Sequence, residues 1–276
     1  MIQTVHGEPD RECDCRPTQI VSGLIDVVDH DDHRSLIRCR SRRAQSVLLL
    51  RTVVVKALGL DSVLRYRVDA GQMDDLRKTI ATFIRHDVAR FMVPMIRLVA
   101  EGRPVALERL AAASGVPVEE IESWLRAQPG TDWDEDGRLL GFGLTQRSTR
   151  HRYIVDGRVL YTFCAADTLI FTPILGRRAF VESSCPTTGQ SIRLEVTPEA
   201  VRSVDPPTTV ISHVNLCCGA HDIRGSLCEH GHFFASANAA EDWRNAHPDG
   251  EVRPVRELFD IAVAVCCELG WTARVP

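Results

Sequence analysis

The hydrophobic residues of this chain change period once, and that change restricts it to a fold with helices first and strands after. From Leu76 they recur at three- and four-residue steps, through Ile80, Phe83, Ile84, Val88, Phe91 and Met92, the spacing of one buried helix face. Pro94 interrupts the run, marking either a kink or a fresh helix through Met95, Ile96 and Val99. Gly102-Arg103-Pro104 ends it. Two short amphipathic stretches, Val105–Ser114 and Val118–Leu125, then meet at Gly115, the pattern of a helix-turn-helix. The turn residues Asp134–Arg138 and the apolar run Leu139–Thr145 add a wing. Beyond Tyr153 the pattern becomes short runs separated by turns. Arg158–Thr162, Phe180–Ser184, Ser191–Val196, Thr209–Asn215 and Leu227–Ser236 read as strands, and Ala165–Leu175, Ala239–Arg244 and Val255–Gly270 as helices. The expected class is α+β: a winged helix-turn-helix domain over 73–150, then a mixed-strand domain with flanking helices over 151–276. Residues 1–72 show no sustained period and read as a poorly structured N-terminal extension.

A winged helix suggests a DNA reader, but the charges oppose it. Reading helices present arginine or lysine to phosphates and base edges. Here the second helix carries Glu119, Glu120 and Glu122 against one cation, Arg126. The net charge of −4 gives no overall attraction to nucleic acid or anionic membrane. No run reaches membrane-span length; the most apolar, Ser46 to Leu60, is broken by Arg51 and Lys56. The module is therefore expected to pack over a substrate rather than bind DNA.

Ten cysteines in 276 residues are the unusual element of the composition. The first residues are polar and charged, without the apolar core of a secretory signal. The expectation is a reducing cytoplasm and free thiols, where clustered cysteines serve metals or catalysis. Cys13-Asp14-Cys15 offers soft-metal ligands or lies in a tail. The vicinal pairs Cys217-Cys218 and Cys266-Cys267 are either a metal relay or ordinary core and surface thiols.

Three segments carry chemistry. In Phe163-Cys164-Ala165-Ala166-Asp167 a helix starting near Cys164 places Cys164 and Asp167 on one face. A thiol of pKa ~8.5 gains thiolate character at such a helix start, and the carboxyl lies within reach of whatever the sulfur binds. The alternative is a small buried residue beside a capping acid. In Leu227–Ser236, strand alternation would put Cys228, His230 and His232 on one face, either as zinc ligands or as one thiol with two core histidines. The third is the turn Cys185-Pro186-Thr187-Thr188-Gly189.

Together these segments resemble the organomercurial (alkylmercury) lyases. That family's catalytic segment has a cysteine and an aspartate three apart followed by Thr-Leu-Ile-Phe, here Cys164, Asp167 and Thr168–Phe171. Its second cysteine precedes a His-x-His-Phe-Phe-Ala-Ser run, here Cys228 and His230–Ser236. A Cys-x-x-Thr-Gly turn (Cys185, Thr188, Gly189), Glu241–Trp243, Gly102–Val105 and Gly141–Thr145 also match, so the resemblance runs from Leu76 to Leu269. It implies cleavage of carbon–mercury bonds by Cys164, Asp167 and Cys228, transient binding of the Hg(II) product by Cys164 and Cys228, and a structural role for Cys185. It further implies no organic cofactor or resident metal, release of mercury to external low-molecular-weight thiols, and hand-off to a mercuric reductase. Two other readings of the same residues are a mercury-responsive winged-helix regulator and a non-catalytic soft-metal binder.

Overall fold

The computed structural model describes residues 88–214 and 222–273, all within the compact unit Val63–Pro276. The extension 1–72, Cys13, Cys15, Cys39, Cys217 and Cys218 lie outside the described residues.

Helix α1 (Val88–Val99) runs through Pro94 as one element. It buries Phe91, Met95, Ile96 and Val99, a helical stripe that outweighs the backbone hydrogen bond a proline cannot donate. Helices α2 (Leu107–Ser114) and α3 (Val118–Arg126) follow. Gly115 closes α2 in the left-handed region (φ 70°), its N–H returning to the Ala111 carbonyl. Leu107, Leu110, Ile121 and Leu125 form the inner face of the pair.

Strands β1 (Asp132–Trp133), β2 (Leu139–Phe142) and β3 (Leu144–Thr145) make the wing. The wing is continuous with the strands after it. One antiparallel eight-stranded sheet has the order β1-β2-β3-β5-β4-β6-β7-β8, with β4 (His151–Val155), β5 (Arg158–Thr162), β6 (Ala179–Ser184), β7 (Ser191–Val196) and β8 (Val201–Asp205). The sheet thus crosses position 150, Leu144 pairing with Thr162 and Thr145 with Tyr161. The β4–β5 hairpin turns on Asp156 (φ 50°) and Gly157 (φ 73°), the two positive φ values that a two-residue hairpin favours.

Helix α4 (Ala165–Leu175) is buried on nearly every side, through Ala165, Thr168, Leu169, Phe171, Thr172 and Ile174. That is why its sequence lacks an amphipathic stripe. Its buried hydroxyls are satisfied: Thr168 Oγ1 donates to the Ala165 carbonyl at 2.7 Å, and Thr172 Oγ1 lies 2.9 Å from the Tyr153 hydroxyl. A second sheet, β10-β9-β11, comprises β9 (Val210–Val214), β10 (Phe233–Phe234) and β11 (Gly250–Pro254). Between them lie helix α5 (Ile223–Ser226), a 3-10 turn (Cys228–His230) and helix α6 (Glu241–Ala246). Helix α7 (Val255–Glu268) buries Val255, Leu258, Phe259, Ala262, Val265 and Cys266, each large side chain contributing about 1.5–3 kcal/mol. No helix among the described residues is long and apolar enough to cross a membrane.

The structure corrects one expected element that matters to function. Leu227–Ser236 is not a strand: only Phe233–Phe234 pairs, and Cys228–His230 is a 3-10 turn. Gly231 is the reason. Its carbonyl accepts from Ala165 N at 3.0 Å, and a Cβ on it would lie 2.8 Å from Cys164 Cβ. The chain there wraps onto the start of α4 rather than running along a sheet. Strands β4, β8 and β11 and the wing strand β1 are not among the elements expected from the sequence.

Candidate active site

Cys164 is the N-cap of α4, in extended conformation (φ −137°, ψ 171°). Its backbone N–H donates to Asp167 Oδ2 at 3.2 Å, and its side chain accepts from the Asp167 N–H, a reciprocal capping box with sulfur in the usual place of a hydroxyl. Thr162 Oγ1 holds the Cys164 carbonyl at 2.8 Å. Local sequence therefore fixes the Cys164–Asp167 pair.

The second cysteine arrives from 64 positions later in the chain. The 3-10 turn places Cys228 so that its sulfur, the Cys164 sulfur and a carboxylate oxygen of Asp167 all lie within 4.8 Å of one another. Both sulfurs are buried (each cysteine 4% exposed) and free. Two of the three groups, Asp167 and Cys228, border a cavity of about 120 Å³ lined also by Met92, Trp124, Phe142, Phe163, Ile170 and Trp271. Edge-to-face aromatic pairs, Phe91–Trp124, Trp124–Phe142 and Phe142–Phe163, run from α1 to the residue before Cys164. Gly143 (φ 76°) lets that wall close, since a Cβ there would lie 2.7 Å from Phe171 Cζ.

Both thiols are held in their protonated form. The hydrogen bond Cys164 donates to Cys228, then burial, then the nearby Asp167 charge, push the Cys164 thiol well above its usual range. The same bond favours a thiolate at Cys228, but burial and Asp167 outweigh it and that thiol also moves up. Burial raises Asp167 to about 6, against hydrogen bonds that pull it down. This reverses the expectation for Cys164: desolvation and two acidic neighbours exceed the helix-start effect. A soft cation is then needed to drive the protons off.

The remaining sequence candidates fall elsewhere. Cys185 is 1% exposed and not in the sulfur–carboxylate cluster. It closes its turn, its N–H donating to Gln190 O and its carbonyl accepting from Gly189 N, each at 2.9 Å. Burial opposes its ionisation, but the Thr188 side chain and the backbone N–H groups of Ala235, Thr188 and Thr187 prevail and lower its pKa. His230 and His232 do not join Cys228 as metal ligands. His230 Nδ1 meets His247 Nε2 at 2.9 Å, and His232 Nδ1 is buried without a hydrogen-bond partner. Cys266 is buried against α4, its sulfur 4.0 Å from the Ile170 carbonyl, while Cys267 is exposed. The cavity's aromatic wall was not foreseen: Trp124, Phe142 and Trp271 read as ordinary core in one dimension. Arg224 was missed too. Its guanidinium stacks on Phe163 at 4.1 Å.

Comparison with known proteins places the chain among relatives of one family. A family model described as alkylmercury lyase matches residues 144–266, and one described as the helix-turn-helix domain of alkylmercury lyase matches 86–143. The alkylmercury lyase of Staphylococcus epidermidis is 45% identical over 168 residues, 61% of this chain and 77% of that protein. That of Pseudomonas putida is 42% identical over 183 residues, 66% of this chain and 86% of that protein. Among solved structures, the mercury-bound form of MerB2 superposes with a TM-score of 0.57 at 24% identity, covering 71% of this chain and 97% of that one. On these matches the chain belongs to the alkylmercury lyase family.

Proposed function

We propose that this chain cleaves the carbon–mercury bond of organomercurials by protonolysis, giving a hydrocarbon and Hg(II), as a step in mercury detoxification. The observation that carries the reading is the meeting of two buried thiols and one carboxyl within 4.8 Å, with Cys228 and Asp167 in the wall of an apolar cavity. Thiolates suit soft mercury. The apolar wall suits the organic group, since a cavity of ~150 Å³ lined by such side chains admits a benzene ring. The thiol–thiol–carboxyl set needs no organic cofactor or resident metal, because mercury comes and goes as substrate and product.

The substrate enters as R–Hg–SR′, carried by a small thiol. Cys164 exchanges onto mercury, and its proton leaves with the displaced thiol as HSR′. Asp167, as carboxylate, takes the Cys228 proton, and the Cys228 thiolate becomes the second sulfur on mercury. Electron density from two thiolates strengthens the carbanion character of the bound carbon. Asp167 then delivers its proton to that carbon as the carbon–mercury bond breaks. R–H leaves, the bond's electron pair now in its new C–H bond, and Hg(II) remains between Cys164 and Cys228. Two low-molecular-weight thiols, or the dithiol of a mercuric reductase, exchange the ion out and reprotonate both cysteines. A reducing cytoplasm fits this cycle, because oxidation of the pair to a disulfide would end it. Cys185 keeps a structural role, closing the β6–β7 turn.

A carboxyl group with a pKa near 6 suits both halves of this proton transfer. It favours a catalyst over a regulator or passive metal binder, neither of which needs a proton shuttle beside the sulfurs. The test is to incubate the purified chain with phenylmercury and excess thiol and to measure benzene. Release by the wild type, none by Cys164→Ser, and mercury retention without benzene by Asp167→Asn are expected. Absence of benzene from the wild type would overturn the assignment.

A further inference from the structure

The arm that carries Cys228 is held after the cysteine, where the Gly231 carbonyl accepts from Ala165 N at 3.0 Å and the His230 carbonyl from Ser212 Oγ at 2.7 Å, and less firmly before it. Helix α5 is four residues long and buries none of its side chains, far below the length at which a helix is stable alone. Asp222 caps it, accepting from Gly225 N at 3.0 Å. Its described side-chain tie to the helix-turn-helix module is Arg224, whose Nη1 donates to the Gly130 carbonyl at 3.2 Å and to Asp132 Oδ1 at 3.1 Å. Asp132 sits on β1 of the wing and is only 8% exposed. Its Oδ2 accepts from Thr145 Oγ1 at 2.6 Å, and Arg147 Nε lies 3.8 Å from the Oδ1 that Arg224 uses. Gly130 permits the approach, since a Cβ there would lie 2.3 Å from Arg224 Cβ. The same guanidinium stacks on Phe163, the neighbour of Cys164. One side chain thus touches the residue beside the first cysteine and lies four residues from the second. It is anchored by a carboxylate from the helix-turn-helix module.

We propose that Asp132 is a positioning residue: acting through Arg224, it holds the Cys228 arm at the spacing that lets both sulfurs grip one mercury atom. This rests on the assignment of Cys164 and Cys228 as the mercury-binding pair. Ion pairs of this kind contribute little net stability but define geometry. Bond cleavage needs that geometry, whereas capture by Cys164 alone does not. The wing of a helix-turn-helix has here become a support for a catalytic sulfur. Ile223 and Leu227, which flank Arg224 on the arm, line the cavity, so the same anchor also sets the wall on that side.

The test uses Asp132→Asn, which keeps shape and removes charge. A misplacement of about 1 Å at a reacting group costs roughly 100-fold, so benzene release is expected to slow 10- to 100-fold in kcat with KM little changed. Mercury X-ray absorption of the product complex should show one protein sulfur in place of two. The double variant Asp132→Asn with Arg224→Gln should be no slower than Arg224→Gln alone, the non-additivity of a shared contact. As a folding control, Leu110→Ala loosens the same module at a buried position on α2 rather than on the wing and should keep two-sulfur coordination. Wild-type kcat in Asp132→Asn, additive effects in the double variant, or two protein sulfurs retained on mercury in a slowed Asp132→Asn would each overturn the proposal. These results are read against a wild type that does release benzene; if it does not, the functional assignment fails instead.

Discussion

Replacing Asp167 with Asn should make the protein more stable while ending hydrocarbon release. The carboxyl is raised from its usual 3.8 to about 6, chiefly by burial, against hydrogen bonds that favour its ionised form. That rise corresponds to about 3 kcal/mol against the ionised form. The carboxyl borders the cavity rather than lying in solid core, so solvent screening reduces this to about 1–2 kcal/mol. The direction with pH follows from proton counting. The folded-state pKa exceeds the unfolded one, so between about 4 and 6 the folded protein holds more protons and its stability falls as pH rises. Below that window the penalty is absent; above about 6 it is complete. Asn avoids the ionisation and still accepts the Cys164 N–H that Asp167 Oδ2 accepts at 3.2 Å. Thermal unfolding of the two proteins from pH 4 to pH 8 measures the difference. The variant should gain about 3–6 °C at pH 8, and the gain should shrink toward pH 4. An Asn variant no more stable at pH 8, or one whose advantage ignores pH, would refute the claim that burial strains this carboxyl.

Trp124→Ala should widen the cavity on its helix-turn-helix side and raise kcat/KM for naphthylmercury relative to methylmercury by about tenfold, a change of ~1.4 kcal/mol in discrimination; an equal effect on both substrates would show that the indole does not set size. Gly231→Ala should lower benzene release at least tenfold, because its Cβ would sit 2.8 Å from Cys164 Cβ, and steady-state kinetics will detect this. The pH profile of kcat/KM should rise through about 6 as Asp167 ionises to receive the Cys228 proton, and a flat profile from 5 to 7 would count against that role. His151 is pushed down to about 3, first by burial and then by the charges of His232 and Arg150. Its depressed pKa means stability is intact above 6.5 and is lost as pH falls below it; His151→Gln should flatten that acid limb in denaturant titrations at pH 4 to 7.

What was legible in the sequence was what is local in the fold. Helix α4 was bounded correctly at Ala165–Leu175, and its first turn sets the Cys164–Asp167 pair through i, i+3 geometry alone. The helix-turn-helix was read from Gly115 and the buried stripe of Ile121 and Leu125. Cys228 was singled out by resemblance, while its local structure was misread. The run Cys228–Phe234 imitates a period of two, and nothing in one dimension shows that Gly231 is pressed against Cys164. Strands β8 and β11 are edges of their sheets. Edge strands tolerate charge and proline, so Gly250–Pro254 carries no strand signal. The sign of the Cys164 shift failed for a related reason: the helix-start effect is visible in sequence, whereas the larger effects of burial and Cys228 come from the fold.

The same contrast explains why a module shaped like a DNA reader precedes this site. Read alone, Val105–Leu125 is a binding unit with the wrong charge. In the fold its surfaces are already in use. Trp124 and, on α1, Met92 line the cavity, β3 pairs with β5 in the shared sheet, and Asp132 anchors Arg224. Glu119 and Glu120 are left on the exposed side, where acids suit solvent and would repel phosphate. The acidic second helix therefore belongs to a unit whose inner side walls the cavity through Trp124 and whose outer side, with Glu119 and Glu120, meets solvent.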